Sequence, residues 1–442
     1  MRPTEKLLKI LLVWGLLALI TAVLRIFSVS AADLLSSVWV VAGIFIVIVA
    51  FVDYFSVGKI RRLGIQQQTP SSLALGNNTK CSLKITNTLA RDIDITAAFA
   101  PNTKIKFEGF PVQFLLKQGT FNLINYHIKP VDRGNTTIAA PVFRIKSRNG
   151  LWDYKTSLGN ETDVKIYPNF SPIAQLSNMG VERQIQQLGI HLSQRRGEGM
   201  EFKQLREFVE GDSLRQIDWK ATSKARRPIS REYQDEKNQE IFFLLDCGRR
   251  LRHKDDELSH FDYALNAILL TAYIAIRQGD SAGFFSFAGD NRYLSPVKGV
   301  NGVNTLLNNL YDIQSTLENT DFLKLAEDFT VRHKRRSLVV LVSNIREEDH
   351  DDLIKATRLL SKKHIVLVAS LKEASLEHQL QEPVVNFDSS IAFAATHKYL
   401  HERSLVIKKL RSAGVFVIDT LPELLHVRLV SEYFRLKRSH LL

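Results

Sequence analysis

The sequence predicts a multidomain chain: an N-terminal transmembrane helical hairpin, an all-β sandwich, and an α/β doubly wound domain. Three observations carry this reading. Two long apolar runs lie before residue 60, short period-two runs broken by Gly, Pro, Asn and Thr fill residues 61–175, and continuous apolar runs alternate with helix-length segments after residue 240. At 442 residues the chain has room for about three compact units. The expected division is 1–60 for two transmembrane helices (about 7–26 and 34–55), 61–175 for the sandwich, 176–240 for a connector and 241–442 for the α/β domain.

In the first run only Lys9 interrupts Leu7 to Leu24, and it lies near enough to one end to reach lipid headgroups. From Leu34 to Val52 no charge occurs, which as helix spans roughly 28 Å, about the thickness of a bilayer's hydrocarbon core. Arg2, Lys6 and Lys9 precede the first span, and Lys59, Arg61 and Arg62 follow the second. The loop between them holds only Arg25 and Asp33, so the positive-inside rule puts both termini and the soluble domains in the cytoplasm. A cleaved signal peptide ending in the small residues Ser28 to Ala32 is the competing reading. It would leave the second span crossing in the same sense.

The runs CSLKITN, DIDITAAFA, KIKFEGF, NLINYHIK and DVKIYP alternate with period two between turn residues, as in an antiparallel sandwich of immunoglobulin or fibronectin type. Asp132-Arg133-Gly134 is a hairpin turn signal, and His127 reads as a packed or exposed strand residue. After Glu240, the segments IFFLLD, AGFFSFA, SLVVLVS, HIVLVAS and VFVID read as buried strands. FDYALNAILLTAYIAIR, DLIKATRLLSKK and His397 to Arg411 are helices between them, giving a mostly parallel sheet. Ligands of such a sheet belong at the carboxyl ends of its strands, where Asp246 and Asn344 fall. The tail from Leu425 is basic and amphipathic in helical register, and is expected to cap the sheet.

The excess of 59 Lys and Arg over 46 Asp and Glu gives a net charge of +13, suited to an anionic membrane face, an acidic partner or nucleic acid. Aromatic stacking platforms for nucleic acid are not evident, so none is expected as a partner. Cys81 and Cys247 fall in different domains, which argues against a disulfide framework.

The connector from Gly197 to Glu232 mixes both charge signs with Phe202, Leu205, Phe208, Val209, Leu214, Ile217 and Trp219, more apolar material than a solvated linker carries. Gly211-Asp212 is a turn signal, and Asp212, Arg215 and Asp218 follow at spacings of three, within reach of one another on a helical turn. The bland alternative is an exposed charged face. Gly199, Glu201, Phe202, Leu205, Arg206, Gly211, Asp212, Arg215, Ile217, Asp218 and Trp219 together resemble the signature of the bacterial domain of unknown function 58 family. The resemblance implies a protein of the inner membrane, a von Willebrand factor A-like fold for the last domain, and association with a MoxR-type AAA+ ATPase. It implies no reaction.

In von Willebrand A-like domains the strand-end edge holds a metal-ion-dependent adhesion site built on Asp-x-Ser-x-Ser, a threonine and a later aspartate. Here Asp246 is kept, Gly248 and Arg250 replace the serines, Asn344 replaces the later aspartate, and Thr305 is the candidate second-loop hydroxyl. A hard divalent cation asks for more oxygens than that, and Arg249, Arg250, Arg252, His253 and Lys254 would repel it. No metal or other cofactor is therefore expected; the Arg250 guanidinium is expected to pair with Asp246 in the cation's place. Cys247 with His253 or His260 as base is the covalent-catalysis alternative, weighed against plain packing at a strand end. Walker A, G-x-S-x-G, H-E-x-x-H and paired C-x-x-C patterns are not found, and His191, His333 and His426 form no ligand spacing.

The sequence thus predicts a non-enzymatic, membrane-tethered scaffold or adaptor without catalytic residues, which helps assemble or remodel an envelope complex. Its partner-binding or interdomain clamp is expected to comprise Glu201, Phe202, Arg206, Gly211, Asp212, Arg215, Asp218 and Trp219. A thiol- or metal-dependent hydrolase at Asp246 and Cys247 is the alternative.

Overall fold

The computed structural model describes residues 1–26, 32–56, 63–169, 201–209, 212–234, 238–255, 258–439 and 441. The chain divides into two units, Met1–Ile166 and Tyr167–Leu442. Gly199 and Gly211 lie outside the described residues.

The first unit opens with α1 (Glu5–Ile26) and α2 (Ala32–Phe55), with mean hydropathies of 2.5 and 2.7 over their spans. Each is long and apolar enough to cross a bilayer, and most of their apolar side chains are exposed. Trp14 and Trp39 lock the two helices: the rings stack at 4.6 Å, and each indole N–H donates to the other residue's carbonyl, at 3.2 and 3.0 Å. Gly43 permits this approach, because a Cβ there would sit 2.6 Å from the Trp14 ring. Gly43→Val is therefore expected to separate the rings and lower stability by about 1–3 kcal/mol. Thermal unfolding in detergent, followed by tryptophan emission, checks this; an unchanged profile would count against the lock.

Beyond the helices the described residues of the first unit form β-sheets built mainly from antiparallel pairs. A five-stranded sheet runs β1 (Arg2–Pro3), β11 (Trp152–Ser157), β10 (Val142–Lys146), β5 (Ile93–Ala98), β7 (Val112–Leu116). A four-stranded sheet runs β2 (Gly64–Gln68), β4 (Thr79–Thr86), β8 (Phe121–Pro130), β6 (Ile105–Glu108), and a three-stranded sheet β3 (Ser72–Ala74), β12 (Thr162–Tyr167), β9 (Gly134–Ile138). The period-two runs of the sequence became these strands, burying Leu83 and Ile85 on β4, Ile93 and Ile95 on β5, and Tyr126 and Ile128 on β8, while His127 faces out. Burial pushes the Tyr126 hydroxyl up to about 12.

The second unit begins with a hairpin, β13 (Glu201–Glu207) against β14 (Ile229–Gln234), with a 3-10 turn and the short α3 (Trp219–Ala225) between them. A six-stranded sheet follows in the order β17 (Tyr293–Val297), β16 (Ser281–Phe287), β15 (Glu240–Asp246), β18 (Leu338–Ser343), β19 (Ile365–Leu371), β20 (Phe416–Thr420). All neighbours pair in parallel except β17. On one face the core joins α4 (His260–Arg277), α5 (Gly299–Leu310) and α10 (Leu425–Arg438); on the other it joins α6 (Phe322–Arg332), α7 (His350–Ser361) and the end of α9 (Phe387–Ser412). The short α8 (Ala374–Gln381) precedes α9. Helices on both faces explain why the central strands carry continuous apolar runs. The tail covers the sheet as expected: α10 buries Leu429, Tyr433 and Leu436, and both the Tyr433 hydroxyl and the Lys437 ammonium donate to Asp280 at 2.6 Å.

Candidate functional site at the strand ends and connector

Parallel strands deliver their last residues to one edge, and β15 ends in a fully buried carboxylate, Asp246. It accepts the Gly248 N–H at 2.8 Å, the Thr320 hydroxyl at 2.9 Å and the Ser343 hydroxyl at 2.5 Å. Burial raises its pKa against the pull of these donors. The threonine here is Thr320, just before the Asp321 N-cap of α6, and not Thr305. Thr305 lies on α5 and bonds back to the Asn301 carbonyl at 3.0 Å.

Arg250 also differs from expectation. Its buried guanidinium hydrogen-bonds to Asp349, which precedes α7, and lies over the Phe322 ring at 5.4 Å; the hydrogen bonds to Asp246 come from hydroxyls and the Gly248 amide instead. The hydrogen bond thus goes to a second carboxylate one loop away, while the Arg250 charge still acts on Asp246. At Gly248 a Cβ would meet the Glu318 carbonyl at 2.7 Å, so the 316–320 segment occupies the space a serine would need. Thr316 N–H donates to the Cys247 carbonyl at 2.6 Å, and Arg249 N–H to the Glu318 carbonyl at 3.2 Å, which pins that segment in place. One carboxylate, two hydroxyls and a blocked third position do not fit a hard divalent cation, which takes about six oxygens.

Asn344, fully buried after β18, donates to Glu373 at 3.2 Å and accepts from Arg403 at 2.6 Å. Arg403 of α9 also reaches the Ile345 and Leu371 carbonyls, the Ser370 hydroxyl and Asp419, all within 2.6–2.8 Å. Sequence reasoning missed this residue, which ties together the ends of three strands. Cys247 is fully buried among core residues, with its thiol 3.7 Å from the Leu245 carbonyl, a placement that suits packing.

In the connector the charge network closes on itself. Arg206 pairs with Asp212 at 2.7 Å, and Asp212 also accepts the Val209 N–H at 3.1 Å. Asp218 caps α3 through the Ala221 N–H at 3.0 Å and pairs with Arg231 at 2.9 Å. The pKa of each carboxyl is lowered, chiefly by the Arg206 hydrogen bond for Asp212 and by the Ala221 N–H for Asp218. The three-residue spacing of Asp212, Arg215 and Asp218 does not make them partners, because a turn and a 3-10 segment separate them. Arg215 is exposed instead. Trp219 is 71% exposed and Leu214 72% exposed; Leu205 and Val209 also face out, so the expected apolar anchor is a surface feature. Glu201 and Phe202 lie on β13.

Residues 204–386 match the family model described as Protein of unknown function DUF58. No curated protein matches the chain. Similar solved structures include the PapD-like domain 7 of human CEP192, at 10% identity, 24% of this chain, 85% of that chain and a TM-score of 0.19. Escherichia coli alpha-2-macroglobulin activated by porcine elastase is 13% identical over 24% of this chain and 9% of that one, with a TM-score of 0.19. A FixG-related protein from Vibrio parahaemolyticus is 9% identical over 24% of this chain and 94% of that one, with a TM-score of 0.17. The family match runs from within β13 to the Asn386 N-cap of α9, taking in the hairpin network and the Asp246 edge, and over that span the chain is similar to the family of Protein of unknown function DUF58.

Proposed function

We propose that the protein is a membrane-tethered scaffold or adaptor, and that its connector docks a protein partner. The observation that carries this reading is the set of outward apolar residues Leu205, Val209, Leu214 and Trp219, in a stretch of chain that also exposes Arg215, Lys220, Lys224 and Arg226. An exposed tryptophan in a stretch rich in exposed cations suits a partner surface that offers both apolar and acidic groups. A MoxR-type AAA+ ATPase is the partner that the family resemblance suggests, with assembly or remodelling of an envelope complex as the task; nucleic acid is not a partner in this reading. The two apolar helices act as the hairpin in the bacterial inner membrane, with both termini and the soluble units on the cytoplasmic side, in keeping with their basic flanks. The first unit's β region is read as an immunoglobulin-like sandwich. The strand order of the second, with its one antiparallel edge strand, supports a von Willebrand A-like domain whose adhesion site at Asp246 binds no cation and carries out no catalysis.

The test is a detergent pull-down with mass spectrometry on the full chain. Trp219→Ala is expected to weaken capture of the partner by about 30-fold, the scale of an interface hot spot. Asp218→Ala, which uncaps α3, is expected to reduce capture as well, and Cys247→Ala to retain it. Equal capture by wild type and Trp219→Ala would remove the connector from the interface; loss only with Cys247→Ala would favour thiol chemistry.

A further inference from the structure

Away from the hydrogen bonds of Asp246, the loop between the 3-10 turn Arg249–Arg252 and α4 gathers three ligand-type side chains. His253 Nε2 lies 3.1 Å from Asp255 Oδ1, and His260 Nε2 lies 2.7 Å from Asp255 Oδ2. The three donor atoms all fall within 4.8 Å of one another. We propose that His253, Asp255 and His260 bind a divalent transition metal of the zinc class.

The ligand chemistry selects the ion. Two imidazole nitrogens and one carboxylate oxygen suit zinc, cobalt or nickel, whereas magnesium and calcium ask for oxygen throughout. An ion about 2.0–2.2 Å from each ligand holds them roughly 3.3 Å apart, close to the two short separations here, so small side-chain rotations would seat it. Three protein ligands leave a fourth tetrahedral position. The exposure gradient places it on the solvent side, since the His260 side chain is fully buried, that of Asp255 is 7% exposed and that of His253 39% exposed.

The scaffold holds this geometry before any ion arrives. His260 N–H donates to the His253 carbonyl at 2.8 Å, and Lys254 and Ser259 form a bridge, so the loop is closed at its base. Ser259 caps α4 in a capping box with Asp262, fixing where His260 enters the helix. Asp255 also accepts the Ala374 N–H at the start of α8. A hydrogen-bonded clamp of two imidazoles on one carboxylate is the simpler arrangement, but it leaves His260 Nδ1 buried without a partner. Ligation through Nε2 would leave that nitrogen just as it is, so the donor set and its spacing carry the proposal. The loop follows β15 at the carboxyl edge of the sheet, where ligands of open α/β sheets sit.

The test uses the full-length protein in detergent, with any polyhistidine tag removed and metal stripped by a chelator. Titration with cobalt is expected to give saturable binding of one equivalent, with the intense visible absorption of a tetrahedral site, and zinc is expected to displace it. His253→Gln, at the most exposed ligand, and Asp255→Asn are each expected to weaken binding more than about 100-fold, beyond the 10–100-fold typical of an outer-shell partner. Metal-free His253→Gln should melt at the wild-type temperature, which separates lost ligation from misfolding. Non-saturating titration, six-coordinate cobalt spectra, or unchanged affinity in His253→Gln would each overturn the site and leave the clamp. Neither result depends on the connector's partner.

Discussion

Replacing Arg403 by methionine is expected to destabilise the second unit by about 3–5 kcal/mol, the cost of removing one member of a buried charged network. The guanidinium is almost wholly buried and spreads its two terminal nitrogens over Asn344, Ile345, Ser370, Leu371 and Asp419. Those acceptors end or follow β18, β19 and β20, so the substitution would leave several buried oxygens unanswered at once. Arg403→Lys keeps the charge, but a single ammonium cannot reproduce the planar fork, and it should recover only part of the loss. Urea unfolding followed by circular dichroism checks this: the midpoint should fall with the slope unchanged. Hydrogen exchange should speed up first at Ile345 and Leu371. A midpoint within error of wild type would show that water can replace the guanidinium.

The same residue shows where the sequence stops being readable. Buried parallel strands announce themselves, because a strand covered on both faces is apolar at every position, and β15, β16, β18, β19 and β20 were each visible as such runs. The strand β17 was not: it is a short antiparallel edge with Pro296 inside it, and an edge tolerates what a central strand cannot. Arg403 lies between Glu402 and Ser404 in a helix of mixed charge, with nothing local to distinguish it from a solvated arginine. Its partners are brought to it by the sheet. Thr320 is hidden from the sequence for a similar reason: the 316–320 segment has no periodicity, and only its contacts with Cys247, Gly248 and Arg249 reveal that it closes the edge.

In the connector the pairing of the charged residues depends on the fold more than on their spacing. Arg206, Asp212 and Asp218 do form ion pairs, yet Asp218 takes Arg231 from β14, because antiparallel pairing brings distant chain together and spacing along the chain does not show it. Apolar residues there were read as facing a core. A two-stranded hairpin has too little behind it to bury them, so Leu214 and Trp219 stand in solvent. The proposed metal-ligand set is half visible in the sequence: His253 and His260 stand out as candidate bases for Cys247, while Asp255 between them joins the two only in the fold.

Asp53→Ala is expected to loosen the first unit where its apolar helices meet its β region, at a cost of about 3–5 kcal/mol from stranded buried donors. The carboxylate sits in the last turn of α2, is 1% exposed, and accepts the Ser147 hydroxyl, the Asn149 N–H at 2.9 Å and the Leu151 N–H at 3.2 Å. Beside it the Trp152 indole donates to the Ala50 carbonyl at 2.9 Å. From the start of α1, Thr4 donates to the Gly150 carbonyl at 2.7 Å and Lys6 to that of Asn149 at 3.1 Å. Both helices therefore grip one turn, the Ser147–Leu151 connection between β10 and β11. Burial lowers the pKa of nearby Arg91 while Asp53 offsets part of that, so losing the carboxylate also takes a nearby opposite charge from a partly buried cation. Asp53→Asn keeps the shape and one acceptor, and should lie between alanine and wild type. The readout is hydrogen exchange of the Asn149 and Leu151 amides in the full chain in detergent: exchange should accelerate there and at Trp152 while the β4 and β8 ladder stays protected. If the turn exchanges as slowly as in wild type, the β region is held without the latch. If β4 and β8 open together with it, the helices and the sheets fold as one cooperative body.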